Sequence, residues 1–201
     1  MRYSFLYPFD GEFARVGVMA DERMKWGLID RNGKRIIDPV WDECVYDGDG
    51  LIRVCRGVNL DGLEIGPAYY PTDSGIWAVL DTTGRVIIPF QYTQIRAFRY
   101  GYAVVELHGN EFGMIDTKGE LILPICYDSL SNCNKYGFIR ARDSGKYGII
   151  NLKGETLVPF EYDFIHPAAE YCTPDDPIPV SKDGETFYIT LSGDRVAMAD
   201  L

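Results

Sequence analysis

The sequence predicts an all-β protein made of tandem three-stranded β-meanders, each about 35 residues long. Two observations carry this. The stretch KYGIINLKGETLVPFEYD, residues 146 to 163, nearly repeats EFGMIDTKGELILPICYD, residues 111 to 128, and self-similarity at a fixed period marks a repeat architecture. The 201-residue chain also carries 21 Gly, 11 Pro, 14 Tyr and 10 Phe, the composition of a folded, turn-rich protein that favours strands.

Four stretches share one frame and begin at Trp26, Trp77, Phe112 and Tyr147, with spacings of 51, 35 and 35 residues. The turn glycines Gly33, Gly84, Gly119 and Gly154 repeat those spacings, and the first interval is long because residues 58–75 are an insertion. Each first strand reads aromatic, small, apolar, apolar. Asp30, Asp81, Asp116 and Asn151 follow, three residues before the Gly, where an Asx side chain bonds the backbone of a type I turn and Gly supplies positive φ. That turn predicts a hairpin. The second strand is an apolar run (Ile36-Ile37, Val86-Ile87-Ile88, Leu121-Ile122-Leu123, Leu157-Val158), so both of its faces are to be covered by neighbours. Pro89, Pro124 and Pro159 are expected to end that strand, since Pro cannot donate to a ladder; Asp38 takes this position in the first repeat. Trp41, Tyr92, Tyr127 and Tyr162 come three residues later. A third strand, introduced by Gly50, Gly101 or Gly137, alternates as a strand with one wet face does, and a short fourth segment is expected near the Tyr-Asp pair.

The boundaries are repeat 1 at 25–57, the insertion at 58–75, repeat 2 at 76–110, repeat 3 at 111–145, repeat 4 at 146–182 and a partial repeat 5 at 183–201. The N-terminal FDGEFARVGV reads as the last strand of a unit, so residues 1–24 are expected to complete the last one. Such a split unit suits a small five-unit propeller-like ring closed by strand exchange. The alternative is an open stack with capping repeats.

The motifs KWGLID, EFGMID and KYGIIN, with IWAVLD as a variant carrying Ala78 for Gly, resemble the WG-repeat family, also called KWG repeats. The resemblance covers Lys25 to Ile165. It implies a bacterial, non-catalytic repeat module used for binding and carries no catalytic residue, because the matched positions, such as Trp26, Gly33, Asp116 and Tyr162, are structural. In the fifth unit, TFYITLSGDRVAM, Tyr188 stands where Gly is expected and the turn comes one residue early.

The remaining residues supply no catalytic, cofactor or metal constellation. His108 and His166 lie in different repeats, and a Cys172-His166 pairing lacks any motif. The five cysteines, Cys44, Cys55, Cys126, Cys133 and Cys172, have neither a disulfide pattern nor zinc spacing and read as reduced core thiols. The DGDG of Asp47–Gly50 lacks the later ligands of a calcium loop and reads as a turn. Arg53, Arg56, Arg140 and Arg142 on third strands, with Arg96 and Arg99 ahead of another, form either a cationic stripe or a set of edge-strand charges. A formal net charge of −10 argues against nucleic acid and anionic membranes. No segment reads as a leader or a span, so a cytoplasmic protein is expected.

Partner-binding candidates lie where the period breaks, because repeat proteins place variable function in projecting insertions. Residues 58–75 hold Asp61, Glu64, Tyr69, Tyr70 and Asp73; the 166–177 segment holds Glu170, Tyr171, Asp175 and Asp176. Aromatic anchors beside carboxylates suit a protein partner with a basic surface, and an immunity or inhibitor protein for a basic toxin is one concrete form. A structural or assembly module, and a carbohydrate-binding protein using Trp26 and Trp77, are the other readings.

Overall fold

The computed structural model describes residues 2–57, 75–107, 110–167 and 173–196. Two compact units divide the chain, Met1–Ile95 and Arg96–Leu201. In unit 1, β1 (Phe5–Asp10), β2 (Phe13–Ala20), β3 (Arg23–Asp30) and β4 (Arg35–Trp41) form one antiparallel sheet in chain order. A second sheet of the same kind joins β5 (Glu43–Gly48), β6 (Leu51–Arg56), β7 (Ile76–Leu80) and β8 (Val86–Tyr92), and β9 (Gln94–Ile95) ends the unit. In unit 2, β10 (Tyr102–Leu107), β11 (Glu111–Asp116) and β12 (Leu121–Tyr127) are successive neighbours. There follow the sheet of β13 (Ser129–Leu130), β14 (Phe138–Asp143), β15 (Lys146–Asn151) and β16 (Thr156–Tyr162), and that of β17 (Phe164–Ile165), β18 (Ile178–Lys182) and β19 (Glu185–Ile189). The protein is therefore all-β, in small antiparallel sheets, and no closed sheet or barrel occurs among the described residues.

Sheets and sequence repeats are out of phase. The third strand of each sequence repeat, such as β6 or β14, pairs with the aromatic strand of the next, β7 or β15. The expected short fourth segment is present as β9, β13 and β17, but it opens a new sheet and does not close the old one. The N-terminal segment follows the same logic. β2 is bonded to β1 on one side and to β3 on the other.

The hairpin turns form as their residues dictate. Asp30, Asp81, Asp116 and Asn151 each accept two backbone N–H groups on Oδ1, from the residues two and four positions on, at 2.8–3.0 Å. Gly33, Gly84, Gly119 and Gly154 hold φ between 77° and 85°. In the last hairpin Thr190 fills the Asx position, its Oγ1 accepting Asp194 N–H, and Gly193 has φ of 89°. Counting from that turn, Thr186 lies opposite Ser181 where an aromatic is usual, and Phe187 takes the Gly position.

The second strands run through their prolines, which corrects the expectation that Pro ends them. β8, β12 and β16 continue to Tyr92, Tyr127 and Tyr162. Pro89, Pro124 and Pro159 lie exposed inside a bulge, where Val79 pairs Ile88 but Trp77 already pairs Tyr92. A proline at an edge bulge needs no donor. The bulge also explains the small residue after the aromatic: a Cβ on Gly27, Gly113 or Gly148 would lie 2.4–2.9 Å from a carbonyl oxygen of the bulged strand.

The core lies between the sheets. In unit 1, Phe13, Leu28 and Ile37 pack with Cys44, Ile52, Val54 and Leu80. In unit 2, Val104, Met114 and Leu123 pack with Leu130, Ile139 and Ile150, and a further cluster joins Ile149, Val158 and Tyr162 to Ile165, Val180 and Ile189. On the apolar second strands Ile37, Ile88, Leu123 and Val158 are buried and Ile36, Ile87, Ile122 and Leu157 half-buried, but Val86 and Leu121 stand 46 and 54% exposed, so the expected cover on both faces is incomplete where the strand leaves its turn.

Candidate functional site

Side chains of the repeat signature are engaged within the scaffold itself, which limits what is left to bind anything. The leading and trailing aromatics are cross-strand partners: Trp26 with Trp41, Trp77 with Tyr92, Phe112 with Tyr127, Tyr147 with Tyr162. The lysine before the aromatic pairs with the acidic residue after it, Lys25 with Asp42 and Lys146 with Asp163, both at 2.5 Å. The second oxygen of that carboxylate accepts a backbone N–H from the neighbouring hairpin: Asp42 from Gly57 at 3.0 Å, Asp128 from Gly145 at 2.8 Å, Asp163 from Asp183 at 2.8 Å. The Lys146 ammonium is the chief reason the Asp163 carboxyl titrates below the ordinary range, with the Asp183 N–H second.

The arginines are neither an anion stripe nor edge charges. β6 and β14 are interior strands, and their arginines join repeats. Arg53 lies near the Trp77 ring, grips Asp47 with two nitrogens at 2.5 and 2.8 Å, and donates to the Ile95 carbonyl at 2.7 Å. Arg140 lies near Tyr147 and donates to Ile165 O at 2.9 Å. In the second repeat Val104 occupies the arginine position, and Arg96, from the preceding segment, lies near Phe112 and donates to Leu130 O at 2.8 Å. Arg15 sits 3.8 Å from the Trp26 ring centre and pairs with Glu43 at 2.8 Å. Arg56 covers Phe90 at 3.9 Å. Asp47, read as part of a DGDG turn, is thus the carboxylate partner of Arg53.

Trp77 is only 8% exposed, and Trp26 is half-buried beneath Arg15 with the Phe5 and Tyr7 rings beside it at 6.5 and 5.6 Å. The open indole that a carbohydrate reading needs is not met at Trp77. Cys44, Cys55 and Cys133 are buried thiols; Cys126, read as a core thiol, is exposed on β12 because β12 is an edge strand and its side chain alternates outward. Burial pushes the Cys44 thiol up to about 12, against a smaller lowering by Arg15.

Of the nine partner-binding candidates, Asp61, Glu64, Tyr69, Tyr70, Asp73, Glu170 and Tyr171 lie outside the described residues. Asp175 and Asp176 are exposed on the connection between β17 and β18. Asp176 closes a turn by accepting Thr173 N–H at 2.6 Å, which is the main cause of its lowered carboxyl pKa. The base of the 58–75 insertion is described and is tightly held. Arg56 pairs Ile76 in register, as Asp143 pairs Lys146 across a two-residue turn, and Gly57 N–H is tied to Asp42 as Gly145 N–H is to Asp128. The insertion therefore enters and leaves at a hairpin tip that the fold has already closed.

One surface escaped the sequence reading. β1 is exposed at every position, with Phe5, Leu6, Tyr7 and Phe9 at 55, 65, 52 and 41%. Its signal in the sequence is the apolar run FLYPFD.

Sheets of one design, repeated with the same turn, bridge and arginine contacts, define a tandem β-repeat protein. A family model for the WG containing repeat matches residues 26–57, 77–110, 112–147 and 147–170, and the chain belongs to that family. The insertion falls in the gap between the first two matched segments. No curated protein matches the sequence. Among solved structures, the chain is similar to one described as the crystal structure of the eukaryotic initiation factor, at 14% identity and a TM-score of 0.45, over 73% of this chain and 39% of that one. It is also similar to BamB from Moraxella catarrhalis, at 12% identity and a TM-score of 0.43, over 94% of this chain and 58% of that one. The chain thus spans 39% and 58% of the lengths of these two structures.

Proposed function

We propose that this chain is a non-enzymatic protein-binding repeat module whose partner engages the segments that interrupt the repeat, residues 58–75 above all. The carrying observation is the closed hairpin base at Arg56 and Ile76. A segment attached to a tip that is complete without it adds nothing the scaffold requires, and rigid scaffolds carrying variable loops are a common design for recognition. The signature side chains support the same reading, since they are taken up by turns, bridges and repeat-to-repeat contacts.

The partner on this reading is a protein with a basic surface, met by a chain of net charge −10, and neither nucleic acid nor an anionic membrane. The finer form is a cytoplasmic, bacterial immunity or inhibitor protein that covers a basic toxin. Its architectural half is a ring of the five units, supported by their common design; an elongated envelope in solution scattering would remove the ring. An assembly module within a larger complex is the second reading, favoured by the repeat count and separated from the first by whether the captured partner is one basic protein or several structural ones.

The test is capture followed by kinetics on the partner obtained. Replacing residues 58–74 by a two-residue turn is expected to abolish binding and to leave the thermal midpoint within a few degrees of the parent. Asp61→Asn, Glu64→Gln and Asp73→Asn together are expected to slow association about tenfold at low salt, with the difference fading as salt rises. Tyr69→Ala with Tyr70→Ala is expected to speed dissociation by roughly 10- to 100-fold. Unchanged binding by the excised chain sinks the proposal.

A further inference from the structure

β1 is alone among the described strands in being exposed at all six residues. It has one neighbour, β2, and so presents the edge of its sheet. The edge is ordered. Phe5 and Tyr7 lean on Trp26, and Phe9 lies beneath Arg31, which donates to Gly11 O at 2.8 Å. An apolar edge strand is a template for pairing with another chain, and natural proteins blunt such edges with charge, bulges and proline. Here Pro8 and a register shift between Leu6 and Phe9 are present, and no charged side chain lies within the run Phe5 to Phe9.

We infer that β1 is a self-association edge, and that its occupant is the β1 of a second copy of this chain, paired antiparallel about a two-fold axis. Charge and area argue for a second copy. The strand carries a cation before it and anions at its end, Arg2 against Asp10 and Glu12, all three exposed. In an antiparallel pair centred on Leu6, Arg2 meets the copy's Asp10 and Phe5 meets its Tyr7. In a pair centred on Tyr7, Arg2 meets the copy's Glu12 and Phe5 meets its Phe9. Both registers join opposite charges and set aromatic against aromatic, pairs that stabilise antiparallel strands. A parallel pair would place Arg2 beside Arg2 and Asp10 beside Asp10, so the sequence selects the two-fold arrangement. Such an edge is self-complementary and closes on itself, giving a dimer and no fibre.

The area suffices for a dimer. Taking about 200 Å² for a large apolar side chain, the exposed parts of Phe5, Leu6, Tyr7, Phe9 and the adjacent, equally exposed Met19 come to roughly 500 Å² per copy. Two copies reach about 1,000 Å², the size at which specific interfaces begin. Pro8 has no N–H to give, so the backbone ladder is short and side chains carry most of the contact. Each copy bears a charge of −10, and their mutual repulsion opposes association until salt screens it.

The test is sedimentation equilibrium of the full chain over a wide range of concentration and salt. A monomer–dimer equilibrium that tightens as salt rises is expected. Leu6→Lys, which sets two ammonium groups near the axis at the most exposed of the large apolar side chains of β1, is expected to give a monomer with an unchanged circular dichroism spectrum. Arg2→Glu alone and the pair Asp10→Arg, Glu12→Arg alone are each expected to weaken dimerisation at least tenfold, and mixing those two variants is expected to restore it as a heterodimer. A parent that stays monomeric overturns the inference, as does a dimer that survives Leu6→Lys, or a mixture no tighter than either variant alone. The inference is independent of the proposed partner, because excising residues 58–74 leaves β1 and this equilibrium as they are.

Discussion

Asp116 shows how one side chain sets a hairpin. Its carboxylate accepts Lys118 and Glu120 N–H while its own backbone bonds Glu120 O. Asp116→Ala is expected to lower stability by about 1 kcal/mol, the usual value of a lost cap of this kind, read from urea melts, whereas Asp116→Asn is expected to stay near the parent because Asn151 does the same work in the next repeat. The equivalent Asp81 titrates below the ordinary carboxyl range, chiefly through the Thr83 hydroxyl, with backbone N–H groups adding to it. A depressed folded pKa gives stability that is present above the unfolded value and lost as pH falls through the folded one, so Thr83→Ala is expected to lower stability at neutral pH, to leave it unchanged in strong acid, and so to flatten the acid limb of the stability profile. At the alkaline side the sign reverses. The unfolded Cys44 thiol ionises from about pH 8.5 while the folded one holds its proton up to about 12, so stability is expected to fall with pH across that window, and Cys44→Val is expected to flatten the fall. Glu111 stands where Lys25 and Lys146 bind their carboxylates, opposite Asp128. Glu111→Lys is expected to recreate that bridge and raise the thermal midpoint by about 1–2 °C, the scale of an exposed pair in a chain of this size.

The repeated element is a bulged hairpin joined to its neighbour by an arginine. Arg140→Met keeps the stem over Tyr147 but leaves the Ile165 carbonyl without its donor. A loss of roughly 1–3 kcal/mol is expected, measured in urea, and a melt indistinguishable from the parent would show that the contact is idle. The element was partly legible. Trp26, Gly27, Asp30 and Gly33 announced a hairpin because turn chemistry is local, and four copies in register made the reading firm. Pro89 misled, since a proline forbids a ladder bond but not a strand, and only the edge position of β8 makes that bond unnecessary. Arg96 was illegible as the counterpart of Arg53 and Arg140. It comes from outside the strand where they lie, and equivalence there is set by where a guanidinium reaches in space.

At the scale of the molecule, β1 and β2, within residues 5–20, form half of the first sheet, and β2 contributes Phe13, Ala14 and Val16 to buried clusters. Their deletion is expected to leave β3 as an edge and to abolish the cooperative melt of unit 1, read by circular dichroism; a truncated chain that melts like the parent would deny β1 and β2 their structural part. The sequence by itself determined that the chain is all-β, where its turns fall, that it repeats at about 35 residues and that it belongs with WG repeats, because each of these rests on residues within a few positions of one another. Which strands share a sheet was decided only by the tertiary structure. A strand with two potential neighbours is assigned by where its buried face finds cover, and so β2 went to β1 and β3, β6 to β7, and the repeat boundary fell one strand away from the sheet boundary. The apolar edge of β1 was decided there too, since an apolar strand reads alike in sequence whether a neighbour covers it or solvent does.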